Sequence, residues 1–264
     1  SCIIFLQKNI KALNVHWLID KKPVNDPEAV FFAFPLNLEK YKFNLDLNGI
    51  NSVPNEDQLS GSSKDWYPMH RYVNVSDGTK GITMASLDAP LLNFGGITAG
   101  KWTGSGDLTP EGPHLYSWAI NNHWMVNFKA SQEGKIPFRF RFQTHSHDFD
   151  TSTSFKFGLD SLSPPIILRD KKRMSDKTED TFISCDSKFI NFTIKPSEDL
   201  NAVILRAQNL NKDNSQCHFV TKFNIKKIYE TDILENNLEE IKSNNNDFNL
   251  TFVGNEIKTL KILL

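Results

Sequence analysis

Glycine is scarce in this 264-residue chain, at 13 positions, and so are cysteine, at three, and long apolar runs. So little glycine excludes collagen-like and glycine-rich low-complexity architectures. The cysteines, Cys2, Cys185 and Cys217, are odd in number and widely spaced, so neither a disulfide framework nor a CxxC metal knuckle can be read from them. The expectation is idle thiols in a reducing compartment, with a Cys185–Cys217 bridge as the alternative; localisation stays open. No apolar run approaches the roughly 18 residues of a membrane-spanning helix. The short apolar stretch at residues 2–6 meets polar residues at once, unlike a secretory leader. It reads as the middle of a strand, as in a piece cut from a longer polypeptide. Thirty basic against 31 acidic residues leave a net charge of -1, so no broad field recruits nucleic acid or an anionic membrane, and neither is an expected partner.

What the chain does have is 20 phenylalanines and 26 asparagines, the composition of an aromatic-cored β-protein with asparagine-rich turns. Sequons at Asn74, Asn191 and Asn249 are about as many as chance supplies from such a composition, so alone they say nothing about secretion. Period-two patterns recur along the chain. Leu13, Val15, Trp17 and Ile19 alternate with Asn14, His16 and Leu18. Residues 28–35 form a nearly continuous apolar strand ended by Pro35. Tyr41, Phe43, Leu45 and Leu47 alternate up to an Asn48-Gly49 turn, and residues 72–77 run to an Asp77-Gly78 turn with residues 81–85 as the hairpin partner. Residues 51–63 have little to bury and are expected to form an exposed loop.

The segment 113–142 is expected to be the central hairpin, two patterned strands around a loop at Ser131 to Gly134. Phe138, Phe140 and Phe142 alternate with Arg139 and Arg141, placing rings inward and guanidiniums outward. Before the loop, Asn121, Asn122, Trp124 and Asn127 gather amides and an indole, which suit sugar hydroxyls and equally serve turns. The glycines at 95, 96, 100, 104 and 106 lack the lysine and helix of a phosphate loop and read as an irregular connection. His145 and His147 would share a strand face, as metal-chelating pairs do, yet no third ligand lies nearby, so they are weak metal candidates only. Residues 169–180 mix both charge signs without apolar periodicity and are expected to link a domain at 1–168 to one at 181–264. Beyond the linker, strands recur at 188–195, 202–207, 217–223 and 225–228, while residues 230–241 fit either a strand or a short helix.

Several segments, in one order, resemble the C-terminal β-region of glycoside hydrolase family 38, the α-mannosidases. They are Glu28 to Pro35, Asp88-Ala89-Pro90-Leu91, Asn121-Asn122-His123-Trp124 with Asn127, Gln132-x-Gly134 with the Phe/Arg strand, Val203 to Asn209, Ile225 to Glu235, and the terminal strand around Glu256 to Leu260. His123 and Val126 depart from the pattern, which usually has an aromatic and a small polar residue there. The resemblance implies an all-β fold, a galactose-mutarotase-like supersandwich followed by a smaller C-terminal β-sandwich. It implies too that zinc and both catalytic carboxylates belong to a missing N-terminal catalytic domain, the chain's expected partner, with a mannose-containing glycan as substrate. No catalytic residue, metal or cofactor is expected in this chain; Asn121, Asn122, Trp124 and Asn127 would be substrate-proximal or would buttress that domain. One alternative is a free-standing carbohydrate-binding module stacking sugar on Trp66, Trp102 or Trp124. The other is a metal-dependent hydrolase using His145 and His147.

Overall fold

The computed structural model describes residues 1–98, 108–122, 129–167 and 180–264, and the chain divides into two compact units, Ser1–Pro165 and Ile166–Leu264. The expected linker at 169–180 lies outside the described residues except for Asp180.

In the first unit the period-two segments become strands β1 (Cys2–Leu6), β2 (Leu13–Lys21), β3 (Ala29–Phe34), β4 (Lys42–Leu47), β5 (Ile50–Ser52), β6 (Tyr67–Pro68), β7 (Val73–Ser76), β8 (Gly81–Ser86), β9 (Leu91–Phe94), β10 (Leu115–Asn121) and β11 (Gly134–His145). They form a seven-stranded antiparallel sheet, β1-β2-β11-β8-β7-β4-β5, and a four-stranded one, β3-β10-β9-β6. Inward rings of the two sheets interlock: Phe32 lies 5.2 Å from both Phe138 and Phe140, and Phe34 lies 5.0 Å from both Phe140 and Phe142, mostly edge-to-face. Phe140 is fully buried, so the Phe/Arg alternation does face the core as the pattern dictates. The Asn48-Gly49 turn has both residues at positive φ, and the buried Asp46 carboxylate accepts the Gly49 N–H at 2.6 Å.

Three expectations are corrected in this unit. Strands β10 and β11 are not a hairpin, because β10 pairs with β3 and β9 in the small sheet while β11 pairs with β2 and β8 in the large one. Alternation specifies which face of a strand is buried, not which strand lies beside it. The loop at 51–63 is not wholly exposed, since Asn51 and Ser52 belong to β5 and Ser52, Val53 and Pro54 are buried. A helix, α1 (Thr151–Leu162), also follows β11 where none was expected. Its N-cap Asp150 accepts the Thr153 N–H at 2.7 Å. Three of its five buried residues, Ser154, Gly158 and Ser161, are small and lack apolar weight, which hides the helical period. Arg71 and Arg141 lie over Phe155 and Phe157 of α1 at 4.6 and 5.6 Å.

The second unit contains β12 (Ile183–Cys185), β13 (Ile190–Pro196), β14 (Ala202–Asn209), β15 (Ser215–Thr221), β16 (Lys227–Thr231), β17 (Asn237–Ile241), β18 (Asp247–Phe252) and β19 (Ile257–Leu263). A three-stranded sheet, β12-β15-β18, and a five-stranded one, β13-β14-β19-β16-β17, supply its core. Phe219 stacks on Phe248 at 5.1 Å and meets Phe192 edge-on at 5.6 Å, with Leu205, Leu260 and Ile262 buried in the same cluster. The ambiguous stretch 230–241 resolves into the β16–β17 hairpin. Cys185 and Cys217 are joined in a disulfide, correcting the expectation of idle thiols; Cys2 is free and exposed. Pairing of β12 with β15 brings two cysteines 32 residues apart into reach, a proximity that spacing alone does not reveal.

Candidate functional site

Strand β10 carries the expected sugar-facing residues to its C-terminal end, where Asn121 pairs with Ala29 of β3. Asn122 follows, buried, its backbone N–H donating to the Glu28 carbonyl at 2.9 Å and its side-chain amide to Glu28 Oε1 at 3.4 Å. Lys21 forms an ion pair with the same carboxylate, so Glu28 ties the ends of β2, β3 and β10 together. Trp124 and Asn127 lie outside the described residues, as does Trp102. The tie continues across the following loop: Ser131 Oγ accepts the Val24 N–H at 3.1 Å and donates to Glu133 Oε2 at 3.1 Å. Hydrogen bonds from Lys129 and Ser131 hold the Glu133 carboxyl below its usual range. Glu28 and Ser131 were missed in the sequence. The only signal for Glu28 was a carboxylate at the start of an apolar strand, and for Ser131 there was none.

On the strand before the amides, Trp118 stacks on Phe31 at 5.5 Å and donates its indole N–H to the Ile120 carbonyl at 3.1 Å. Trp66 meets Trp118 edge-on at 5.8 Å. The register between β10 and β3 shifts between Trp118 and Ile120, a bulge that re-aims the strand's last residues. The Asp88-Ala89-Pro90 segment that carried part of the resemblance is held by a fork: Arg139 donates through Nε to Asp88 Oδ2 at 2.9 Å and through Nη2 to Oδ1 at 2.8 Å, with its backbone N–H adding 2.7 Å to Oδ2. Those bonds from Arg139 hold the Asp88 carboxyl below the usual carboxylate range against an opposing burial effect.

His145 and His147 do come together, their rings stacked at 4.8 Å beside a pocket of about 140 Å³ that Lys11, Thr83 and Ser154 also line. Both ring nitrogens of His145 are engaged, Nε2 by the Asn74 amide at 2.8 Å and Nδ1 by the His147 carbonyl at 2.9 Å. Burial pushes the His145 pKa down, favouring the neutral ring in this network. Asp148 accepts its own neighbour's N–H and Asp150 caps α1, so neither carboxylate completes a metal shell with the histidines. Among the described residues, the one other cluster of metal-type donors is Cys185, Asp186 and Cys217, and there both sulfurs are spent in the disulfide.

Taken together, these elements define a nearly all-β region of two units, a supersandwich followed by a smaller sandwich, in which the polar residues described above tie loops and strand ends together. Residues 189–260 match the family model described as "Glycosyl hydrolases family 38 C-terminal beta sandwich domain", which bears out the resemblance read from the strands. No curated protein sequence matches. Among solved structures, an alpha-mannosidase from Enterococcus faecalis V583 is similar to 98% of this chain at 15% identity and a TM-score of 0.70, over 28% of its own length. A protein in the Glycosyl Hydrolase Family 38 from Enterococcus faecalis is similar over 98% of this chain and 29% of its own, at 14% identity and a TM-score of 0.71. The chain therefore spans less than a third of the length of each of these two structures.

Proposed function

We propose that this chain is the non-catalytic β-region of an α-mannosidase, supporting the active site of a zinc-dependent catalytic domain elsewhere in a longer polypeptide. The observation that carries this reading is the fold likeness along 98% of the chain to under a third of a protein described as an alpha-mannosidase, with the family 38 sandwich at residues 189–260. The chemistry of the chain agrees with it. Retaining glycoside hydrolysis needs two carboxyl groups about 5 Å apart flanking the bond. Here Asp88 is forked to Arg139, Asp150 caps a helix and Asp148 accepts the Phe149 N–H, so each has a local structural contact. Zinc and both catalytic carboxylates would come from the catalytic domain, with a mannose-containing glycan as substrate. Buttressing is the role that Asn122 suits: its amide is spent on Glu28 and its side chain is buried.

The chain alone should leave an aryl α-mannoside untouched, and co-expression with the catalytic domain of the same polypeptide should produce turnover that depends on this chain. Turnover by the chain alone, or a catalytic domain equally active without it, overturns the proposal. Glycan-array binding by the isolated chain would point instead to a free-standing carbohydrate-binding module.

A further inference from the structure

The fold sorts the three sequons that the sequence leaves equivalent. Asn74 lies in central strand β7 with no exposed surface, and its amide nitrogen donates to Thr83 Oγ1 at 2.9 Å as well as meeting His145. An oligosaccharide there is incompatible with the folded unit. Asn191, on edge strand β13, is half-buried. Asn249 differs from both. It sits on β18, an edge strand of the three-stranded sheet, where Asn249 and Thr251 are both exposed while Leu250 between them is buried. Alternation along the strand thus puts the acceptor amide and the sequon hydroxyl on one solvent face. The Asn249 side chain makes no hydrogen bond among the described residues, and its cross-strand neighbour His218 turns toward Asp247 instead. An independent observation comes from the same sheet: Cys217, cross-strand partner of Leu250, is disulfide-bonded to Cys185. Such bonds form and persist in oxidising compartments, which in eukaryotes are also where asparagine-linked oligosaccharides are added.

We infer that the second unit matures in an oxidising secretory compartment and carries an N-linked oligosaccharide on Asn249. The co-substrate is a polyprenyl-diphosphate-linked oligosaccharide presented by a membrane transferase. Asn249 Nδ2 attacks the anomeric carbon, forming the N–C bond and giving up one proton to the transferase. The bond from that carbon to the diphosphate oxygen breaks, and polyprenyl diphosphate leaves with the electron pair.

The test secretes the full chain from a eukaryotic host behind an added leader and maps glycopeptides after peptide N-glycosidase treatment, which converts a modified asparagine to aspartate. Conversion at Asn249 is expected, with none at Asn74. Asn249→Gln and Thr251→Ala should abolish the corresponding mobility shift, and Thr251→Ser should keep it, a pattern that a change in folding alone does not produce. An unmodified Asn249 in secreted, disulfide-bonded chain overturns the inference, as does a folded chain modified at Asn74. Neither result bears on the mannosidase reading, which is tested by turnover.

Discussion

Phe140 illustrates what one side chain contributes. It is fully buried and meets Phe32 and Phe34 of the facing sheet, so Phe140→Ala removes both the apolar transfer and the ring contacts, leaving a cavity between two sheets. A loss of about 3–5 kcal/mol in urea unfolding is expected, a large share of the roughly 5–15 kcal/mol of a typical domain. Asp88 acts differently. Its carboxyl is depressed by the Arg139 fork, so its contribution is fully present above the unfolded-state value near 3.9 and fades as pH falls through the lower folded value. The guanidinium is half-exposed, and solvent screening holds the pair to about 1 kcal/mol. Asp88→Ala should therefore cost a constant amount from about pH 5 to pH 8 and progressively less below about pH 4. A stability gap that widens on acidification would contradict this assignment. The phenylalanine was legible in the sequence because burial follows alternation. The carboxylate's partner was not, because Arg139 lies 51 residues away and the pairing comes from two strands meeting.

Helix α1 rests on a close backbone approach. A Cβ on Gly158 would come within 2.6 Å of the Arg71 carbonyl oxygen. Alanine is favoured over glycine inside a helix by about 1 kcal/mol, yet here the backbone contact should outweigh that preference. Gly158→Ala is expected to destabilise the first unit by about 1–3 kcal/mol in thermal or urea unfolding, the usual cost of overpacking; a raised melting temperature would show that α1 can lift off without penalty. Asp150→Ala should cost about 1 kcal/mol through the lost N-cap. The helix escaped the sequence because three of its five buried residues, Ser154, Gly158 and Ser161, are small and pack by fit, whereas the strands announced themselves through rings and aliphatics in period two. The order of strands escaped too: β10 and β11 look like neighbours along the chain and lie in different sheets.

At the scale of the whole molecule, each unit has its own aromatic core, so residues 1–165 and 166–264 expressed separately should each melt cooperatively. Reduction of the Cys185–Cys217 bond should lower the stability of the second fragment by about 3–4 kcal/mol, the loop-closure value for a 32-residue separation, and leave the first fragment's melt unchanged. A first fragment that responds to reductant would refute that separation of effects. The all-β class, the half-buried strands, the Asn48-Gly49 and Asp77-Gly78 turns and the family 38 resemblance were determined by the sequence itself, because alternation and turn chemistry are local properties that survive without a partner strand. Sheet membership, the disulfide, the Glu28 tie that absorbs Asn122, and the sorting of Asn249 from Asn74 were decided only by tertiary structure. Each depends on residues far apart in the chain being brought side by side, and no local pattern records which distant strand will arrive.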